Sequence, residues 1–207
     1  MIVFFVFAGA FALGDWFAVA HDQRRIEYVF KPAVVVALTG AAISLDPASD
    51  LQRALFVAAL VLSLAGDVFL MLPADLFAAG LAAFLIAHLV YIAGFATEGV
   101  SLETAAISAL ALSALSVPIG AWILRAVRKS SPRLAVPIAA YMLVIAAMAA
   151  AALATEDIRA GVGALLFYTS DALIAVNRFV VALRWAPPAV MVTYHLAQAA
   201  LVVSLLD

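Results

Sequence analysis

Eight long apolar runs fill most of the sequence, and short polar or proline-bearing segments separate them. Most of these runs approach the roughly 20 residues that an α-helix needs to cross the hydrocarbon core of a bilayer. None shows the alternation of apolar and polar residues that is typical of a membrane β-strand. The sequence therefore predicts an all-α fold, a polytopic membrane helix bundle with about eight transmembrane helices in a single transmembrane domain, residues 1–207.

The predicted spans are Ile2–Ala20, Pro32–Leu45, Arg53–Leu72, Asp75–Ala96, Leu102–Leu124, Leu134–Ala154, Ala160–Leu183 and Ala189–Leu206. The second run is short, and a start near Tyr28 is the alternative. The first run is an alternative candidate for a signal peptide. It lacks basic residues at its start and carries Gly14-Asp15 inside the apolar stretch, which favours a transmembrane span.

The composition supports a membrane protein. Hydrophobic residues make up 68% of the chain and charged residues only 12%, so there are too few polar groups to cover a surface facing water. The length leaves no room for a soluble domain beside the spans. Cysteine is absent, which excludes disulfides, thiol catalysis and cysteine metal sites. The net charge of −2 points to no charged partner, and no nucleic acid partner is expected.

The basic residues are distributed unequally between the two ends of the predicted bundle. Of the 11 Lys and Arg residues, only Arg53 and Arg159 fall at one end, and the others fall at the opposite end. Because basic loops are retained in the cytoplasm during insertion, the basic end is predicted to be cytoplasmic and both termini extracytoplasmic. We expect the inner membrane of a bacterial-type cell.

Ionisable side chains in the interiors of the predicted spans are few, and an aspartate there costs about 3 kcal/mol by insertion scales. They are Asp15, Asp67, His88, Asp171, Arg178 and His195, with Lys31 at a helix start. All except His88, which falls near mid-bilayer, lie towards the cytoplasmic side. This layer predicts a water-accessible cavity open to the inner leaflet. The fifth and sixth spans hold no such residue, so we assign them to the scaffold.

Helical spacing groups several of these residues. His88 shares a face with Tyr91, and Tyr194 and His195 project with Gln198. Structural explanations compete with functional ones. Lys31 and Arg178 are of the kind that extends to the membrane interface, Asp15 is a candidate partner of Lys31, and either histidine alone is compatible with packing. For Asp67 and Asp171 packing is the weaker explanation, since two carboxylates at similar depth are costly.

A weak internal repeat relates two helix pairs. Gly66-Asp67 is followed by His88-Leu89-Val90-Tyr91, and Ser170-Asp171 is followed by Tyr194-His195 at a similar distance. The third and fourth spans are thus predicted to correspond to the seventh and eighth, as a parallel repeat about an axis along the membrane normal.

Three ordered segments carry a resemblance to a known family, and Lys31-Pro32 also fits it. The first runs from Gly66-Asp67 through Gly80 to His88 and Tyr91. The second runs from Gly163 to Ser170-Asp171 and on to Asn177-Arg178-Phe179, and the third is Thr193-Tyr194-His195-Leu196-Ala197-Gln198. In this order the chain resembles the YhhN-type lysoplasmalogenase family of membrane proteins. His195 departs from the family pattern beside Tyr194.

The resemblance implies an eight-helix enzyme without a cofactor that hydrolyses the vinyl ether bond of lysoplasmalogens, which are lysophospholipids of the membrane. The products are a fatty aldehyde and glycerophosphocholine or glycerophosphoethanolamine. The β-carbon is protonated and water traps the oxocarbenium ion, which needs a proton donor and a nearby anion. Asp67 and Asp171 are the predicted catalytic pair, meeting in one hydrated pocket. The residues predicted to bind the phosphate or to order the cavity are Lys31, His88, Tyr91, Asn177, Arg178, Tyr194, His195 and Gln198.

Two other functions remain as alternatives. In a metal-dependent lipid hydrolase or amidase, His88, His195, Asp67 and Asp171 would be the ligands, although the histidines lack tight motif spacing. In a proton-coupled transporter, the interior Asp and His residues would relay protons. Broken helices would mark such a transporter, but the interior prolines Pro118 and Pro137 lie in the charge-free spans. Head-group preference and oligomeric state are left open.

Overall fold

The computed structural model describes residues 1–47, 49–97 and 99–206. Within these residues the chain forms eight α-helices and one 3-10 turn, and no strand. The helices are α1 Ile2–Ala20, α2 Arg24–Ile43, α3 Asp50–Met71, α4 Phe77–Ala96, α5 Leu102–Ser130, α6 Ala135–Leu153, α7 Ile158–Phe179 and α8 Ala186–Val203, with the 3-10 turn Pro132–Leu134 before α6. Each of the eight is long and apolar enough to cross a membrane, which confirms the predicted polytopic helix bundle.

Several predicted boundaries differ from the observed ones. Helix α2 begins at Arg24 rather than at Pro32, so the proline lies inside the helix. Helix α5 continues past the predicted Leu124 to Ser130, because its last turn carries basic residues that favour a helix C-terminus. Helix α7 ends at Phe179, and the side chain of Asn177 accepts a hydrogen bond of 2.8 Å from the backbone N–H of Leu183. This bond holds the chain in a turn beyond α7.

Three helices begin with a side-chain cap at the end of the bundle opposite the basic residues. Ser49 Oγ accepts from the N–H of Gln52 at 3.2 Å, and Asp157 Oδ1 accepts from the N–H of Arg159 at 2.7 Å. Ser101 caps α5 in the same way. These caps satisfy backbone donors that a helix start leaves unpaired, and so they define where α3, α5 and α7 start.

The helices pack mainly on their sequence neighbours, and α8 closes the bundle by also contacting α1 and α2. Helix α4 reaches across to α6. Helix α8 is the most deeply enclosed, with 50% of its span buried, whereas only 17% of the α5 span is buried. Helix α5 therefore lies at the periphery, and most of the buried polar residues lie on the more enclosed helices.

Two glycines permit the close helix contacts that position the polar residues. A Cβ atom added to Gly66 on α3 would lie 2.6 Å from the ring of Phe84 on α4. A Cβ atom added to Gly163 on α7 would lie 3.1 Å from the carbonyl oxygen of Ala197 on α8. Larger side chains at either position would separate the pairs α3–α4 and α7–α8.

Candidate active site

The first polar cluster, which we call the Asp67 cluster, joins α2, α3, α4 and α8. Lys31 Nζ lies 3.4 Å from Asp67 Oδ1, and the Tyr194 hydroxyl donates to Asp67 Oδ2 at 2.6 Å. Gln198 Nε2 donates to the Tyr194 oxygen at 3.3 Å and accepts at Oε1 from Tyr91 at 2.7 Å. All five side chains are buried. The ion pair and the hydrogen bonds together compensate the burial of both charges.

The second polar cluster, the Asp171 cluster, joins α4, α6 and α7. The Tyr141 hydroxyl donates a short hydrogen bond to Asp171 Oδ2. His88 Nε2 lies 2.9 Å from the Tyr141 oxygen and 3.3 Å from Asp171 Oδ2. Because the single phenol proton goes to Asp171, the Nε2 nitrogen of His88 is the donor in its contacts. Both partners reach Oδ2, so Oδ1 of Asp171 is left for another role.

Aromatic rings separate the two clusters. The ring of Phe167 lies 4.7 Å from the His88 ring and 5.3 Å from the Tyr194 ring, centroid to centroid. Within the described ranges, no hydrogen bond or ion pair joins Asp67 to Asp171 directly. The two predicted catalytic carboxylates thus belong to adjoining clusters with different partners.

An apolar cavity adjoins the Asp171 cluster. It holds about 670 Å³ of empty space, counting its open part, and α3 to α7 all contribute to its wall. Along α7 it runs from Tyr168 to Phe179, which corresponds to about 16 Å at the rise of an α-helix. Tyr141 and Asp171 line it, whereas Asp67 does not. The side chain of Asp171 is 11% exposed and that of Asp67 is 2% exposed. Only Asp171 is therefore accessible from the cavity.

The cavity overturns the assignment of α5 and α6 to the scaffold. Ile119 and Ile123 of α5 and Ile138, Tyr141 and Ile145 of α6 all line it. Tyr141 is not marked by the pattern of charged residues in the spans, because a phenol is neutral and amphipathic. The sequence indicated Tyr141 only through its hydroxyl group, a polar group inside a predicted span.

A third polar group lies between α1 and α8, and no hydrogen bond or ion pair joins it to either cluster among the described residues. Trp16 Nε1 donates to His195 Nδ1 at 3.1 Å, and His195 Nε2 is 3.9 Å from Asp15 Oδ2. Both Asp15 oxygens are buried without a hydrogen bond partner among the described residues. Lys31 makes its ion pair with Asp67, and its charge also acts on Asp15 without a direct contact, so the pairing of Asp15 with Lys31 stays a prediction.

Three of the residues predicted to bind the phosphate or to order the cavity have different surroundings. Lys31 is buried against Asp67, so it does not extend to the membrane interface. Asn177 holds the turn after α7. Arg178 is partly exposed, and its Nη2 lies 2.8 Å from Oδ1 of Asp75 in the turn between α3 and α4. Only Arg178 is near the cavity, because its guanidinium lies over the ring of Phe77, a cavity residue.

The four ligands considered for a metal site are not brought together. His88 and Asp171 share one cluster, Asp67 belongs to another, and His195 lies with Asp15. Among the described residues, no group of three or more His, Asp or Glu side chains has an arrangement that could hold a metal ion.

The fold and the site together define an integral membrane protein with carboxylates inside its helix bundle, one of which, Asp171, lines an apolar cavity. The chain belongs to the YhhN family, which matches residues 26–205. It is 34% identical to the human lysoplasmalogenase TMEM86B over 83% of this chain and 72% of that protein. It is 31% identical to the lysoplasmalogenase of Mycobacterium tuberculosis over 76% of this chain and 62% of that protein. No solved structure matches the chain significantly. The family membership confirms the resemblance seen in the sequence.

Proposed function

We propose that this protein is a membrane hydrolase that cleaves the vinyl ether bond of lysoplasmalogens. The products are a fatty aldehyde and glycerophosphocholine or glycerophosphoethanolamine. The observation that carries the proposal is the exposure of Asp171, held by Tyr141 and His88, to an apolar cavity between the helices. Relatives named lysoplasmalogenase that align with most of the chain support the same activity.

Asp171 is the proposed acid. In its neutral form it donates a proton from Oδ1 to the β-carbon of the vinyl ether, and the double bond becomes an oxocarbenium ion. The carboxylate formed stabilises this cation and accepts a proton from the attacking water. The hemiacetal then breaks down to the aldehyde and the free hydroxyl of the glycerol. The hydrogen bonds from Tyr141 and His88 to Oδ2 orient the carboxyl group throughout.

Asp67 is the second carboxylate of the proposal, and the ring of Phe167 lies between its cluster and the Asp171 cluster. Asp67 is paired with Lys31 and accepts a hydrogen bond from Tyr194. This hydrogen bond holds the Tyr194 ring, which packs against Phe167. Phe167 in turn packs against His88. We therefore propose that Asp67 is a positioning residue for the Asp171 cluster. A direct part of Asp67 in proton transfer stays a prediction that the following experiment also tests.

The purified protein in lipid nanodiscs should release aldehyde from an alkenyl lysophospholipid and none from the alkyl analogue, which has no double bond to protonate. Asp171→Asn should lower kcat by about 10²- to 10⁴-fold, the usual loss of a general acid. Asp67→Asn should lower it less. Asp50→Asn is a matched control, since Asp50 is exposed at the other end of the bundle. Activity retained in Asp171→Asn would refute the proposed mechanism.

The orientation in the membrane is part of the proposal. Phe77 and Phe179 mark the basic end of the cavity, and we propose that this end faces the cytoplasm of a bacterial-type cell, with both termini outside. Because the chain has no cysteine, single cysteines report topology directly. In spheroplasts, a membrane-impermeant maleimide should label Asp50→Cys and leave Arg128→Cys unlabelled. The opposite pattern would reverse the orientation.

A further inference from the structure

A partly exposed ion pair lies at the basic end of the cavity. Arg178 Nη2 contacts both carboxylate oxygens of Asp75, at 2.8 and 3.1 Å. The guanidinium carbon lies 4.2 Å from the centroid of the Phe77 ring and 5.6 Å from that of Phe179, and both rings line the cavity. The side chain of Arg178 is 38% exposed and that of Asp75 is 71% exposed. A pair of this exposure adds little to stability, so its position at the cavity needs another explanation.

We infer that Arg178 and Asp75 form a subsite for the zwitterionic head group of the substrate, with Arg178 binding the phosphate and Asp75 binding the ammonium group. The inference rests on the proposed function and specifies which lysophospholipids the site accepts. An arginine and a carboxylate side by side present the charges opposite to those of phosphocholine or phosphoethanolamine. Without substrate they neutralise each other.

The distance between this pair and the acid fits the substrate. Asp171 and Arg178 are two helical turns apart on α7, about 10 Å along the axis. Seven covalent bonds separate the phosphorus atom of a lysoplasmalogen from the β-carbon of its vinyl ether, which is about 8 Å in an extended chain. A phosphate at Arg178 therefore places the reactive carbon near Asp171, and the alkenyl chain continues towards Tyr168.

The chemistry of each group suits the assigned charge. Both bonds from Arg178 to Asp75 start at Nη2, which leaves other guanidinium N–H groups for phosphate oxygens. Asp75 has a positive φ of 48° in the turn before α4, a conformation that aspartate tolerates better than most residues. The rings of Phe77 and Phe179 contact the Arg178 guanidinium and hold its positive charge at the cavity.

The experiment compares two alkenyl substrates that differ only in the head group: a lysophosphoethanolamine and a lysophosphatidic acid, which lacks the amine. Arg178→Gln should raise KM for both by about tenfold, because a charge-assisted bond to phosphate is lost. Asp75→Asn should raise KM for the zwitterionic substrate alone. Inorganic phosphate should compete with both substrates less well than glycerophosphoethanolamine does.

Arg159→Gln is the matched control, since Arg159 also pairs with an aspartate but lies at the other end of α7; its KM values should be those of the wild type. Two results would overturn the subsite: unchanged KM values in both variants, or an equal change for both substrates in Asp75→Asn. If the wild type does not hydrolyse the lysophosphoethanolamine substrate, the proposed function itself is refuted.

Discussion

The phenol oxygen of Tyr194 lies 2.6 Å from Oδ2 of Asp67, which links α8 to α3 inside the membrane-spanning part of the bundle. The other carboxylate, Asp171 on α7, is bonded by His88 on α4. Each helix pair, α3–α4 and α7–α8, thus supplies the acid of one cluster and a partner of the other. This exchange fits the predicted internal repeat, which stays a prediction. It also means that a change in one cluster acts on the helices of both.

Tyr141→Phe tests the residue that the sequence did not reveal. The change removes the hydrogen bond to Asp171 and keeps the ring beside His88. This bond stabilises the carboxylate that forms as Asp171 gives up its proton. A hydrogen bond to a charged group contributes about 1.5–3 kcal/mol, so we expect kcat to fall about 10- to 100-fold. Tyr168→Phe is the control, since Tyr168 also lines the cavity but bonds Ser116. Equal losses of aldehyde release in both variants would contradict a role for Tyr141 in holding the acid.

Lys31→Met tests the buried ion pair. It leaves Asp67 charged without its cation, and removing one partner of such a pair costs about 3–5 kcal/mol. The double variant Lys31→Met/Asp67→Asn should recover most of this loss in the free energy of unfolding, measured by denaturant titration in micelles. Arg24→Met removes an exposed partner of Asp22 and should have little effect. A double variant no more stable than Lys31→Met would show that the two charges do not compensate each other.

Gly66→Ala tests the close contact between α3 and α4. The added methyl group would meet the Phe84 ring at 2.6 Å, and overpacking of this kind costs about 1–3 kcal/mol. Activity should fall as well, because Phe84 lines the cavity and packs on Tyr194 and Phe167. At Gly9 an added Cβ meets nothing within 4 Å, so Gly9→Ala should keep both the thermal stability and the rate. The prediction fails if the two alanine variants behave alike.

Ala175→Phe tests whether the substrate occupies the cavity. Ala175 lines it one helical turn from Asp171, and a phenyl ring there would fill much of the passage towards Arg178. We expect kcat/KM to fall by at least about tenfold, as for a binding loss of about 1.4 kcal/mol, with the helix content unchanged. Val162→Phe adds similar bulk on the exposed face of the same helix. A substrate that binds elsewhere would leave kcat/KM of Ala175→Phe at the value of this control.

The sequence by itself determined the eight helices and the chemistry available to them. In lipid every backbone polar group must be bonded within the chain, so a long apolar run has hardly any choice other than a helix. The predicted and observed bounds of α1 are both Ile2–Ala20. Because a charge in lipid is costly, Asp67 and Asp171 could be recognised in the sequence as candidates. The ordered motifs identified the family.

Only the tertiary structure decided which carboxylate faces the cavity and which partner each one has. Helical periodicity determines which residues share a face, but the rotation of a helix about its axis depends on contacts with its neighbours, such as that of Gly66 with Phe84. Those contacts turn Asp67 towards Lys31 and Tyr194, and they bring Tyr141 from α6 to Asp171. Packing between helices is a property of the whole bundle, and so the pattern within single spans did not reveal these pairings.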